Sequence, residues 1–61
     1  PRAWALEILG FPMGTVKPTR GEVMAHYRSR LRAVHPDHGG NEKAASKAIG
    51  DLGEARRILI G

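Results

Sequence analysis

The feature that most constrains this chain is a break. Pro36, followed by Gly39-Gly40, interrupts two stretches of helical periodicity near the middle of the sequence. Proline has no amide proton and its ring clashes with the preceding helical turn, so a helix arriving from the N-terminal side must stop at about Val34 or His35. The two glycines then supply the backbone freedom for a turn, which makes residues 35–40 a loop. Two amphipathic helices joined this way bury their apolar stripes most simply by folding back against each other as an antiparallel pair.

The stripes are visible on both sides of the break. Thr19 followed three residues later by Glu22, just ahead of Val23-Met24, is a capping box that starts the second helix. At 100° per residue Val23, Tyr27, Leu31 and Val34 lie within about 80° of one another, with Met24 at the edge. Beyond the loop, Asn41 suits a helix N-cap and Glu42 suits the positive end of the helix. Ala45, Ala48, Ile49, Leu52, Ala55, Ile58 and Leu59 then recur at helical spacing. Gly50 and Gly53 weaken this third helix, each by roughly 1 kcal/mol relative to alanine, and close backbone approach is one reason to keep them. Upstream, residues 3–9 form a short helix closed by Gly10, with Pro12 and Gly14 beyond. Trp4, Leu6, Ile8, Leu9 and Phe11 are expected in the core. The predicted fold is all-α: a short first helix packed on an antiparallel pair of longer helices joined by the His-Pro-Asp loop.

With 61 residues the chain makes one domain, and its core is thin, because a chain this short buries only about 60% of the surface that it exposes when unfolded. An enclosed catalytic pocket is not expected, and neither is an enzyme. The absence of cysteine excludes disulfides and cysteine-containing zinc sites. His35 and His38 with Asp37 are weak metal-ligand candidates because the helix break separates them from any other ligand cluster. No metal and no cofactor are predicted. No run of about 20 apolar residues is present, so no membrane segment is expected in these residues. The start at Pro1 and the helical periodicity still running at the end suggest a domain, 1–61, excised from something longer.

Ten Lys and Arg against six Asp and Glu give a net charge of +4. Arg20, Arg28, Arg30 and Arg32 against Glu22 give the second helix +3 of it, so the remainder is nearly neutral. Helical charge is most often a solvated face. Here the concentration on one helix also suits an acidic partner or a nucleic acid.

A basic amphipathic helix, a His-Pro-Asp loop with glycines and a second amphipathic helix together resemble the J domain of DnaJ-like co-chaperones. The resemblance spans nearly the whole chain. Leu9-Gly10 closes the first helix, His35 falls eight residues after Tyr27, and residues 52–59 read Leu-Gly-Glu-Ala-Arg-Arg-Ile-Leu, similar to the family's Ile-Asn-Glu-Ala-Tyr-x-x-Leu. The His-Pro-Asp-x-Gly-Gly form is similar to that of mitochondrial import-motor J proteins and their bacterial relatives.

The resemblance implies a co-chaperone that docks on a DnaK-type heat-shock chaperone and stimulates its ATP hydrolysis. In the family His35, Pro36 and Asp37 are indispensable, with Asp37 engaging an arginine of the chaperone's nucleotide-binding domain. Arg28 stands where relatives carry a basic residue after the tyrosine, and Arg28 and Arg32 are assigned to steering. The expected form is a monomer in the cytoplasm or the mitochondrial matrix. Nucleic acid is not the expected partner, because the second helix lacks base-reading Asn or Gln side chains. The alternatives are a basic nucleic-acid-binding helical module and a J-like domain that only scaffolds. Three positions depart from the family pattern: Arg30 and Ile49, where relatives carry an aliphatic residue and a phenylalanine, and Arg56, where many carry tyrosine. Arg30 is expected to snorkel or to pair with Asp51 or Glu54. His26 is expected to be solvated.

Overall fold

The computed structural model describes residues 1–34 and 42–61. They form three helices, α1 (Arg2–Ile8), α2 (Arg20–Ala33) and α3 (Glu42–Ile60), and no strand is present among the described residues. The all-α architecture matches the expectation. Asn41, the expected N-cap of α3, and the 35–40 loop lie outside the described residues.

α1 stops where Gly10 demands it. Leu9 is the last near-helical residue, and Gly10 then takes a φ of +76°, a left-handed geometry that costs side-chain-bearing residues a steric clash. Two bonds close the turn: the Gly10 amide donates to Glu7 O at 3.0 Å and the Phe11 amide to Leu6 O at 3.0 Å. This is the Schellman arrangement, which satisfies carbonyls that would otherwise be orphaned at the helix end. A second turn follows, in which the Thr15 amide and hydroxyl both donate to Pro12 O, with Gly14 at φ +92°. Arg2 ties this loop back to the start of α1 by donating to Val16 O at 2.8 Å.

The capping box of α2 forms as its sequence requires. The Glu22 amide donates to Thr19 Oγ1 at 3.1 Å, and the Thr19 amide donates to Glu22 Oε1 at 2.8 Å. Two of the four unpaired amides at the helix start are thereby satisfied.

α2 and α3 run antiparallel. Met24 and Tyr27, in the first part of α2, meet Arg56, late in α3, whereas Val34 at the end of α2 lines one shallow cavity with Ala48 and Leu52, from the first half and the middle of α3. α3 is the central element and packs against both α1 and α2. Among the described residues five form the buried core: Ala5 and Leu9 from α1 and its cap, Val23 from α2, and Leu52 and Ala55 from α3. Tyr27, Leu31, Val34, Ile58 and Leu59 pack half-buried around it, so both predicted stripes face inward.

Two expectations need correction. Trp4 is 39% exposed rather than core, because the seven-residue α1 turns only the Ala5–Leu9 face inward and Trp4 lies about a quarter turn away. Gly50 and Gly53 are not sites of close approach: a Cβ built on either meets nothing within 4 Å.

Candidate functional site

The charged face of α2 is built by its inward stripe. Once Val23, Tyr27, Leu31 and Val34 turn toward the core, Arg28 and Arg32 fall on the side away from it, and both are exposed, as is Arg20 at the start of the helix. Arg28 and Arg32 stand one turn apart, where like charges repel by a few tenths of a kcal/mol. No acidic side chain relieves them: the ion pairs among the described residues, Lys47–Asp51 and Arg57–Glu54, both lie within α3. The predicted steering residues therefore share one uncompensated face. His35, Pro36 and Asp37, the other predicted site residues, lie outside the described residues.

The ion pairs decide the fate of Arg30. Its expected partners are taken, since Asp51 accepts from Lys47 at 2.9 Å and Glu54 accepts from Arg57 Nε at 3.1 Å. The Arg57 hydrogen bond, reinforced by its charge, holds the Glu54 carboxyl below the usual carboxylate range. That pairing operates above the normal carboxylate pKa and fades as acid protonates Glu54; because both groups are fully exposed, solvent screens it heavily. Arg30 instead reaches across to α1. Its Nη2 lies 2.2 Å from the point where a Gly10 Cβ would stand. The guanidinium thus covers the C-terminal end of α1, the negative end of that helix.

His26 is not a solvated side chain. Its Nδ1 lies 2.7 Å from Leu9 O, so Nδ1 carries the proton and donates to a carbonyl at the end of α1. Its ring stacks on Phe11, with centroids 3.8 Å apart and planes 8° from parallel. The half-buried ring pins the loop after α1 to α2. The available sequence signal was its position about 60° from Val23, on the flank of the stripe that a helix end would cover.

Arg56 is the other residue whose role emerges only in three dimensions. Its guanidinium carbon lies 5.2 Å from the Tyr27 ring centroid, within cation–π range, and its Nη1 lies 4.0 Å from the Met24 sulfur. Its Nε is buried and has no hydrogen-bond partner among the described residues. The seam between α2 and α3 thus holds a cation.

Comparison with protein-family models, with curated proteins and with solved structures finds no match to this chain. Among the described residues no helix is long and apolar enough to cross a membrane.

Proposed function

We propose that the chain is a J domain: a co-chaperone module, not an enzyme, that docks on a DnaK-type heat-shock chaperone and accelerates its ATP hydrolysis. The observation that supports this reading best is where the described helices stand in sequence relative to the tripeptide. A capped helix with an uncompensated Arg28–Arg32 face runs antiparallel to α3, and its last turn leads in sequence directly into His35-Pro36-Asp37.

The chemistry follows from those residues. Proline cannot continue a helix, and in sequence Asp37 comes after Pro36, beyond the end of α2 at Ala33. A carboxylate there pairs with a cationic group of the partner, and a bidentate arginine–carboxylate contact is both stronger and more directional than a neutral hydrogen bond. Arg28 and Arg32 accelerate encounter with an acidic surface and set its orientation, contributing more to on-rate than to affinity. Hydrolysis itself belongs to the chaperone.

The test is single-turnover ATP hydrolysis by a bacterial DnaK and by a mitochondrial matrix chaperone of the same class. The parent chain stimulates at least one of them. His35→Gln abolishes stimulation while far-UV circular dichroism stays unchanged. A variant that stimulates as well as the parent sinks the proposal.

A further inference from the structure

The two methionines of the chain stand in opposite settings. Met13 is wholly exposed in the loop after α1. Met24 is half-buried in α2, and Arg56 of α3 brings its Nη1 to 4.0 Å from the Met24 sulfur. We infer that Met24 is an oxidation site: hydrogen peroxide converts its thioether to a sulfoxide, and Arg56 holds the new oxygen across the α2–α3 seam.

The step needs only these two reactants. The sulfur lone pair attacks one peroxide oxygen, the O–O bond breaks as the S–O bond forms, and the second oxygen takes the proton of the first and leaves as water. Sulfur is oxidised by two electrons and peroxide is reduced by two.

Three observations carry the assignment. The first is a donor without an oxygen. Among the described residues Asp51 and Glu54 are engaged by Lys47 and Arg57, the Arg56 Nε is buried without a partner, and Nη1 meets only a thioether, which is a weak acceptor. The second is the distance. An N–H···O bond spans about 2.9 Å, so the 4.0 Å between Nη1 and the sulfur leaves space for an oxygen carried on the sulfur to reach hydrogen-bond range. The third is preorganisation. Contact with the Tyr27 ring, 5.2 Å from the guanidinium carbon, restrains a side chain otherwise rich in rotamers, so the donor is in place before the oxygen arrives.

These settings give oxidation two different consequences. A sulfoxide in a half-buried seam is normally disruptive, because it puts a polar group where only an apolar one was accommodated. At Met24 the oxygen instead completes a charge-assisted hydrogen bond between α2 and α3. At Met13 it enters water and changes little. The assignment rests on the seam alone and is independent of the co-chaperone reading.

The experiment treats the full chain carrying Met13→Leu, in which Met24 is the sole methionine, with hydrogen peroxide. Added oxygen is counted by mass spectrometry, and thermal midpoints are compared before and after. The same comparison is made on Met24→Leu and on the chain carrying both Met13→Leu and Arg56→Leu. The Met13→Leu chain should take up one oxygen and hold or raise its midpoint. With Arg56→Leu added, oxidation should lower the midpoint by at least about 4 °C, the shift expected when a domain of this size buries a polar group without its partner. Met24→Leu, oxidised at Met13 alone, should melt unchanged. Equal shifts with and without Arg56 overturn the assignment, and so does a Met24 that takes up no oxygen under conditions that oxidise Met13 fully. A fall of about 4 °C or more in the Met13→Leu chain also overturns it, and that comparison stands by itself if Arg56→Leu folds poorly.

Discussion

Gly10 is the residue on which two constraints meet. Its positive φ closes α1, and the Arg30 guanidinium occupies the space that any side chain there would need. Gly10→Ala should therefore destabilise the fold by about 1–3 kcal/mol, most of it backbone strain, because the end of a flexible arginine can move aside more cheaply than φ can change. Urea unfolding of Gly10→Ala, Arg30→Ala and the double variant separates the two contributions. Arg30→Ala should relieve only the steric part, and a double variant as stable as Arg30→Ala alone would contradict the strain argument. The same corner shows why some residues are legible in a sequence and others are not. Thr19 and Glu22 find each other within a single turn, so their pairing could be written down from spacing. His26 finds Leu9 O only because α1 ends against the flank of α2, a relation between residues 17 apart that no local rule specifies.

At the scale of the helices, periodicity carried the fold. Both apolar stripes face the core, and their combination with the helix break at Pro36 was enough to predict an antiparallel pair. Polar pairings across helices were not predictable, for a competitive reason. Asp51 and Glu54 each have a cation three or four residues away on their own helix, Lys47 and Arg57, and a partner already adjacent costs less ordering entropy than one reaching from α2. Arg30, deprived of both, turned to α1; Arg56, with the nearest acids of its own helix already paired, settled against Tyr27. The glycines of α3 sharpen the same lesson. No described residue comes within 4 Å of a Cβ at Gly50 or Gly53, so packing among the described residues does not explain their presence. Gly50→Ala and Gly53→Ala should each stabilise the protein by about 0.5–1 kcal/mol, chiefly by restricting the unfolded chain. For a domain of this size each kcal/mol raises the thermal midpoint by roughly 4–8 °C, well within calorimetric reach. A loss of stability at either position would mean that α3 is packed more tightly than the structure describes.

At the scale of the molecule, the distribution of function and stability is lopsided. Net charge is concentrated on α2, while the core that holds α2 in place consists, among the described residues, of five buried residues, two of them alanine. A folded domain retains about 0.05–0.15 kcal/mol per residue, which for this chain is about 3–9 kcal/mol in all. Leu52 is the central side chain of that core: it is 4% exposed, it comes from the helix that touches both others, and it lines a shallow cavity with Ile8 of α1 and Val34 at the end of α2. Truncating a buried leucine to alanine costs about 2–5 kcal/mol, the larger values arising where the surroundings cannot collapse into the space. Leu52→Ala should therefore consume most of the stability available, lowering the thermal midpoint by at least about 10 °C and leaving a measurable unfolded fraction at room temperature. Leu52→Met, which keeps the volume, should cost less than about 1.5 kcal/mol and retain a cooperative transition. Thermal unfolding followed at 222 nm (the standard helix band, about where helical peptide absorption is read) compares the two directly. If Leu52→Ala melts within a few degrees of the parent, then α3 is not held chiefly through Leu52, and the orientation of α2 with its exposed arginines depends on the surrounding half-buried residues instead.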